Sequence, residues 1–200
     1  MKKVIMFLMT VMMMVCLTAC SGSENVKEPS STETVGEDAL EDDTTAVDIL
    51  NDVWTTYGDE EKFFAMGGDM NNPVDNAAGD FGLEDVEALG ATLYVPADAV
   101  EMIDEAASLM HAMNANTFTG ASYHLKDVKD ADAFVTALKE NILNTQWMCG
   151  FPDELVIYSV KDAYVVSAFG NAEIMEVFKG KIATVYGEDA KLLVEEDIAQ

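Results

Sequence analysis

The chain has 200 residues, with 37 acidic side chains against 11 basic ones and a formal net charge of −26. Every basic residue is a lysine, so the guanidinium group that most often reads phosphates and guanine edges does not occur in the sequence. A strongly acidic chain is repelled by nucleic acid, and we expect no nucleic-acid partner.

The first 20 residues have the layout of an export signal. Lys2 and Lys3 precede an apolar run from Val4 to Val15, which is shorter than the roughly 20 residues that a membrane-spanning helix needs. The motif Leu17-Thr18-Ala19-Cys20 that closes this run resembles the lipobox of bacterial lipoproteins. The resemblance implies a signal peptide over 1–19 and lipid on Cys20, which would hold the chain on the extracytoplasmic face of the cell membrane.

Residues 20–43 are predicted to be a lipidated cysteine followed by a disordered tether. The segment is rich in Ser, Thr, Glu and Asp and contains few residues that could be buried. Such a composition cannot offset the entropy lost on ordering. We therefore place a single α+β domain at 44–200.

The first part of this domain is predicted to contain helices around a long loop. Apolar residues at helical spacing predict a helix over 45–57 and a second, short helix over 59–66. The Gly- and Asn-rich stretch 67–82 is typical of a loop. Residues 91–95 are predicted to form a short strand, and a helix is predicted over 96–105 because proline favours the first turn of a helix.

The second part is predicted to form an antiparallel sheet. Residues 106–113 fit either a continuing helix or a strand, and 117–125 predicts a strand. A helix is predicted over 130–147, a hairpin over 154–169, and a last helix after Asn171. This β-α-β-β-α order is partly ferredoxin-like. It predicts an α+β fold with an antiparallel sheet of three to five strands and helices packed on one face.

The same part of the chain carries a second resemblance. Its Ala-Met-Asn-Ala-Asn segment at 112–116, its turn at 147–152 and its closing hairpin and helix resemble uncharacterised small lipoprotein domains of Gram-positive gut bacteria. The resemblance runs from Met102 to Tyr186. It implies this architecture and a location in the cell envelope, and it implies no activity and no site residues.

The loop over 67–82 gathers side chains that could bind calcium. Asp69, Asn71, Asp75 and Asp80 carry the oxygen ligands that calcium prefers, although their spacing is not that of an EF-hand. Asn, Asp and Gly also collect in long turns for conformational reasons. The loop is therefore a candidate calcium site, with a turn that binds no metal as the alternative.

Cys149 is the thiol that remains once Cys16 leaves with the signal peptide and Cys20 carries lipid. The surrounding Trp147-Met148-Cys149-Gly150-Phe151-Pro152 has some likeness to the Trp-Cys-Gly-Pro-Cys turn of thioredoxins. The redox chemistry of that turn needs a second cysteine, which is absent here. Cys149 is therefore a possible reactive thiol, with a structural cysteine in a helix-to-strand turn as the alternative.

The sequence predicts no catalytic residue and no cofactor. His111 and His124 are the two histidines, and neither lies in a cluster with metal-ligand or catalytic spacing. We therefore predict a membrane-anchored binding or accessory module of the cell envelope, with an envelope protein or peptide as its partner. An extracytoplasmic enzyme or thiol-redox factor using Cys149 and a calcium-binding surface protein are the alternatives. A binding module should have an apolar patch or a groove, which we expect near the 67–82 loop.

Overall fold

The computed structural model describes residues 44–198, so the predicted signal peptide, Cys20 and the tether lie outside the described residues. The described residues belong to one compact unit, Asp42–Gln200. None of the helices within 44–198 is long and apolar enough to cross a membrane.

Residues 44–198 contain four α-helices and eight strands, besides short 3-10 turns. The helices are α1 (Ala46–Thr55), α2 (Val86–Thr92), α3 (Ala131–Leu143) and α4 (Ala172–Tyr186). The strands are β1 (Ala65–Gly67), β2 (Val74–Asp75), β3 (Gly79–Asp80), β4 (Ile103–His111), β5 (Phe118–Leu125), β6 (Glu154–Val160), β7 (Tyr164–Gly170) and β8 (Ala190–Asp197). The predicted α+β class is confirmed, but the sheet has eight strands instead of three to five.

All eight strands belong to one sheet, and every pairing in it is antiparallel. The order along the sheet is β2-β1-β4-β5-β7-β6-β8, and β3 also pairs with β4. At the centre, Ser122 of β5 lies between Ala107 of β4 and Val166 of β7. The short strands β1, β2 and β3 form one side of the sheet, and β8 forms the opposite edge.

Helices cover both faces of this sheet. On β6, Val156 and Tyr158 belong to a core that includes residues of α1 and α4. The alternate residues Leu155 and Ile157 belong to a second core that includes residues of α2 and α3. The prediction that the helices pack on one face is therefore wrong. Strands covered on both faces are apolar along most of their length, as β6 and β7 are.

The two crossover connections explain this arrangement. The connection from β5 to β6 contains α3 and passes over β7, and the connection from β7 to β8 contains α4 and passes over β6. Both connections move two strand positions in the same direction along the sheet, but the strands from which they start, β5 and β7, are antiparallel to each other. Right-handed crossovers of this kind place their helices on opposite faces. In a ferredoxin-like unit the second crossover returns in the opposite direction, and its last strand pairs with the first strand of the unit. Here β4 already pairs with β5 at that position, and β8 pairs with β6 instead.

Most elements with strong local signals lie where the sequence predicted them. The predicted first helix is α1, and it begins with a capping box: Asp48 N donates to Thr45 Oγ1 at 3.2 Å, and Thr45 N donates to Asp48 Oδ2 at 2.9 Å. The predicted strand β5, the β6–β7 hairpin and α4 are confirmed, and α3 is confirmed with an earlier end, at Leu143.

The predictions between residues 59 and 113 need correction. The predicted helix over 59–66 is a turn that leads into β1, and the predicted strand over 91–95 contains the end of α2. The predicted helix over 96–105 is instead a single 3-10 turn, Val100–Met102, followed by β4. The ambiguous segment 106–113 is mostly β4. Its strand conformation completes the middle of the sheet.

Two lysines connect β8 to the helices on either face. Lys179 Nζ of α4 donates to Glu154 Oε1 at 2.8 Å and to Glu195 Oε1 at 3.0 Å. Lys139 Nζ of α3 donates to Glu196 Oε1 at 2.6 Å. The hydrogen bond from Lys179 lowers the pKa of Glu195. This stabilisation is present above the unfolded-state pKa of the carboxyl group, and it is lost as the pH falls through the lower folded-state pKa.

Candidate binding groove

An apolar cavity of about 420 Å³ lies beside the 67–82 loop, where the sequence predicted a groove. Its floor is the sheet, where Met66 of β1 pairs with Met110 of β4. One wall is α2, and the other contains Phe81 and the loop that carries Met70. We call this cavity the methionine groove, and its lining residues are Met66, Gly68, Asp69, Met70, Pro73, Phe81, Ala88, Ala91, Thr92 and Met110.

Small side chains on α2 leave the space for the groove. Leu89 and Leu93 are fully buried in the core, whereas the shorter Ala88 and Ala91 line the cavity. The helix is fixed at its start by Asp85, whose Oδ1 accepts the N–H of Ala88 at 2.9 Å. Alanine at the groove-facing positions keeps α2 from filling the gap above the sheet.

Asp69 organises the loop on the other side of the groove. Its Oδ1 accepts the N–H groups of Asn71 at 2.7 Å and Asn72 at 2.9 Å, and its Oδ2 accepts that of Gly82 at 3.1 Å. These bonds lower the pKa of the Asp69 carboxyl, with the bond from Gly82 as the largest cause. Asp69 therefore acts as the centre of an Asx-type turn that closes the loop.

The predicted calcium ligands lie in different elements of this region. Asp69 and Asn71 are in the loop, Asp75 is in β2 and Asp80 is in β3. Across residues 44–198 there is no group of three or more His, Cys, Asp or Glu side chains arranged to hold a metal ion. Calcium binding stays a prediction, and the role that the structure gives Asp69 is to accept backbone hydrogen bonds.

A smaller acidic cavity of about 190 Å³ adjoins the methionine groove. Phe81 lines both cavities. Four acidic residues, Asp80, Glu84, Asp104 and Glu105, line the smaller one, which we call the acidic cavity. The Glu105 carboxylate also accepts the N–H of Ala46 at 2.8 Å. The apolar and the acidic lining therefore adjoin at Phe81, a residue that is itself buried in the core.

Electrostatic repulsion accompanies this gathering of carboxylates. Burial, followed by the negative charges of Asp69, Glu105 and Glu84, raises the pKa of Asp80. Because the folded-state pKa is raised, the corresponding stability is present at acid pH and is lost as the pH rises through that pKa. A cation bound near Asp80 would favour its ionised form and relieve the repulsion.

Cys149 is exposed in the turn between α3 and β6, and it is the one cysteine within residues 44–198. Asn114 Nδ2 donates to its carbonyl oxygen at 2.9 Å. Asn116 Nδ2 donates to the carbonyl oxygens of Met148 at 2.9 Å and Gly150 at 3.1 Å. These bonds hold Cys149 in the left-handed region, with φ of 63°, which non-glycine residues adopt infrequently. The thiol is therefore accessible, in the helix-to-strand turn that the sequence predicted.

The two histidines do not join Cys149 in a catalytic pair. His124 Nδ1 lies 2.5 Å from Asp104 Oδ1, and its ring packs against Tyr164 near the end of β5. The turn of Cys149 contacts the residues that precede β5, and the length of the strand, about 20 Å, separates the two ends. His111 is engaged elsewhere, because its Nδ1 accepts the N–H of Met113 at 3.2 Å and its ring stacks on a phenylalanine.

Another cavity, of about 410 Å³, lies between α3 and β8. Its lining includes the charged side chains of Asp132, Lys139 and Glu140. Ligand sites are typically apolar with a few well-placed polar groups. The methionine groove fits that description better, because apolar side chains make up more of its lining than they do in the cavity beside β8.

Comparison of the chain with models of protein families, with curated proteins and with solved structures finds no match. The role of the methionine groove is therefore inferred from its own geometry.

Proposed function

We propose that the protein is a lipid-anchored binding module, displayed on the extracytoplasmic face of the cell membrane. The methionine groove carries the proposal, because its volume of about 420 Å³ lies within the range of about 300–1,000 Å³ found for ligand pockets. The lipobox-like Leu17-Thr18-Ala19-Cys20 supports the anchor, since lipid on Cys20 would hold the domain at a membrane surface.

The residues of the methionine groove suit the recognition of an apolar segment. Met66 and Met110 form its floor, and Met70, on the loop, is 98 % exposed. Methionine side chains are flexible and polarisable, and surfaces rich in them adapt to partners of different shape. A groove of this kind binds a few apolar side chains of a partner, and its methionines adapt to the shape of those side chains.

A neutral apolar dye, N-phenyl-1-naphthylamine, tests the groove. We expect the chain from Ser21 to Gln200 to bind the dye with an increase in fluorescence. We expect Met66→Gln and Met110→Gln each to weaken binding about tenfold, which corresponds to about 1.4 kcal/mol of lost apolar contact. Met148→Gln is the matched control, because Met148 is exposed and does not line the groove. Equal dye binding by all four proteins would contradict the proposal.

Replacement of Cys20 by alanine tests the anchor. We expect the wild-type protein to incorporate an alkyne fatty acid and to sediment with membranes. We expect Cys20→Ala to lose the label, and either to leave the membrane fraction or to keep an uncleaved signal peptide. The measurement is metabolic labelling followed by fractionation. Label that persists on the Cys20→Ala protein would refute lipidation at this position.

A further inference from the structure

The methionine groove and the acidic cavity lie side by side and together give this part of the molecule one amphipathic surface. Phe81 lines both cavities, and Gly82 follows it between two carboxylates. A Cβ atom added to Gly82 would lie 2.7 Å from Glu84 Oε2 and 3.2 Å from Asp69 Oδ2. Asp69 lines the groove and Glu84 lines the acidic cavity, so these carboxylates connect the two.

The negative charge of this surface has no lysine to balance it among the described residues that line either cavity. Asp69 is satisfied by backbone N–H groups, whereas Asp80 is exposed and is repelled by neighbouring carboxylates. A partner that carries positive charge next to apolar groups would complement the whole surface. Complementary charge also speeds encounter between partners, and the net charge of −26 would attract such a partner from a distance.

We infer that the groove binds a basic amphipathic peptide segment, whose apolar side chains contact the methionines and whose lysine or arginine enters the acidic cavity. This inference rests on the proposed function and adds the chemistry of the partner. Charge complementarity selects the occupant. The acidic segment over 20–43 and a second copy of this chain would both be repelled by the carboxylates. A neutral acyl chain would fill the groove but leave the negative charges of Asp80 and Glu84 unbalanced.

Three fluorescent synthetic peptides test the inference, each with the same leucines flanked by lysines, by glutamines or by glutamates. Binding to the chain from Ser21 to Gln200 is measured by fluorescence anisotropy. We expect the lysine peptide to bind about five- to tenfold more tightly than the glutamine peptide, and the glutamate peptide to bind most weakly. Sodium chloride should reduce the difference between the three.

Substitutions in the acidic cavity test whether this cavity is the source of the preference for the lysine peptide. We expect Asp80→Asn and Glu84→Gln each to weaken the lysine peptide about two- to fivefold and to leave the glutamine peptide unchanged. Glu173→Gln on α4 is the matched control, since it makes the same charge change at an exposed position that lines neither cavity. An equal loss in Glu173→Gln would overturn the assignment, because the attraction would then come from net charge alone.

The remaining outcomes separate this inference from the proposed function. If the dye binds but the three peptides bind equally or not at all, the basic partner is refuted and the groove still stands. If neither dye nor peptide binds, both fail. Displacement of the dye by a neutral monoacylglycerol but not by the lysine peptide would assign the groove to lipid. A loss of peptide binding specific to calcium, at matched ionic strength, would make the carboxylates a metal site and overturn the inference.

Discussion

Replacing Gly67 with alanine is expected to destabilise the domain by about 3 kcal/mol or more, a large fraction of the total stability of a domain. A Cβ atom at Gly67 would overlap the backbone atoms Ala77 O and Gly79 N and would lie 2.6 Å from Ser108 O. These atoms belong to the backbones packed around β1, so they cannot move aside as the tip of a side chain can. Only a shift of the strands themselves would make room.

Gly180→Ala is the matched control for this substitution. Gly180 lies within α4, and a Cβ atom there would meet nothing within 4 Å. We expect alanine at this position to stabilise the domain by about 0.5–1 kcal/mol, because glycine is unfavourable inside a helix. Urea unfolding followed by circular dichroism measures both variants. A Gly67→Ala protein with the wild-type midpoint would mean that β1 does not pack as closely as the structure describes.

The correctly predicted elements are those whose signals are local. Thr45 and Asp48 form a capping box at the start of α1 that can be read from the sequence alone. The hairpin between β6 and β7 turns at Lys161 and Asp162, which have φ of 47° and 58°. The loop between the paired residues Val160 and Tyr164 is three residues long, which is one of the common hairpin lengths. The apolar, β-branched runs on either side then pair without information from the rest of the chain.

The elements that were predicted wrongly depend on tertiary context. The sequence predicts the segment Ile103–His111 as helix up to residue 105 and leaves helix and strand open from 106, where two adjacent alanines favour a helix. It becomes β4 because its neighbours in the sheet supply hydrogen bonds and burial. The edge strand β8 pairs only with β6, and an irregularity between Ile157 and Tyr158 breaks its register. Its exposed residues therefore lack the alternation that marks a strand. Because β8 was not predicted, the connection from β7 to β8 could not be recognised as a crossover. The face of the sheet that α4 covers could therefore not be predicted either.

The position of the candidate site could be predicted, but its lining could not. The loop over 67–82 was expected to border a groove, and the methionine groove lies there. In its floor Met66 lies beside Met110, because the register of β1 on β4 brings them together. One wall is α2, a helix that was not predicted from the sequence. A helix start at Asp85 was the available signal, since an acidic cap precedes an apolar run there.

Core truncations on opposite faces of the sheet are expected to act independently. Phe134 of α3 packs against Tyr123, with ring centroids 5.2 Å apart, and Phe178 of α4 packs against Phe118 at 5.6 Å. Phenylalanine-to-alanine changes at such sites cost about 3–5 kcal/mol each, so the double variant would approach the total stability of a domain. The milder Phe134→Leu and Phe178→Leu should cost about 1–3 kcal/mol each. Because the sheet separates them, their effects should add within about 0.5 kcal/mol.

A second pair of variants provides the positive control for this double-mutant cycle. Phe118→Leu and Phe178→Leu remove rings that contact each other on one face, and we expect them to couple by about 0.5–1.5 kcal/mol. Free energies of unfolding from urea titrations give both couplings under the same conditions. A coupling between Phe134 and Phe178 as large as that between Phe118 and Phe178 would contradict the placement of α3 and α4 on opposite faces. Additivity in the first pair together with coupling in the second is the result that a sheet covered on both sides requires.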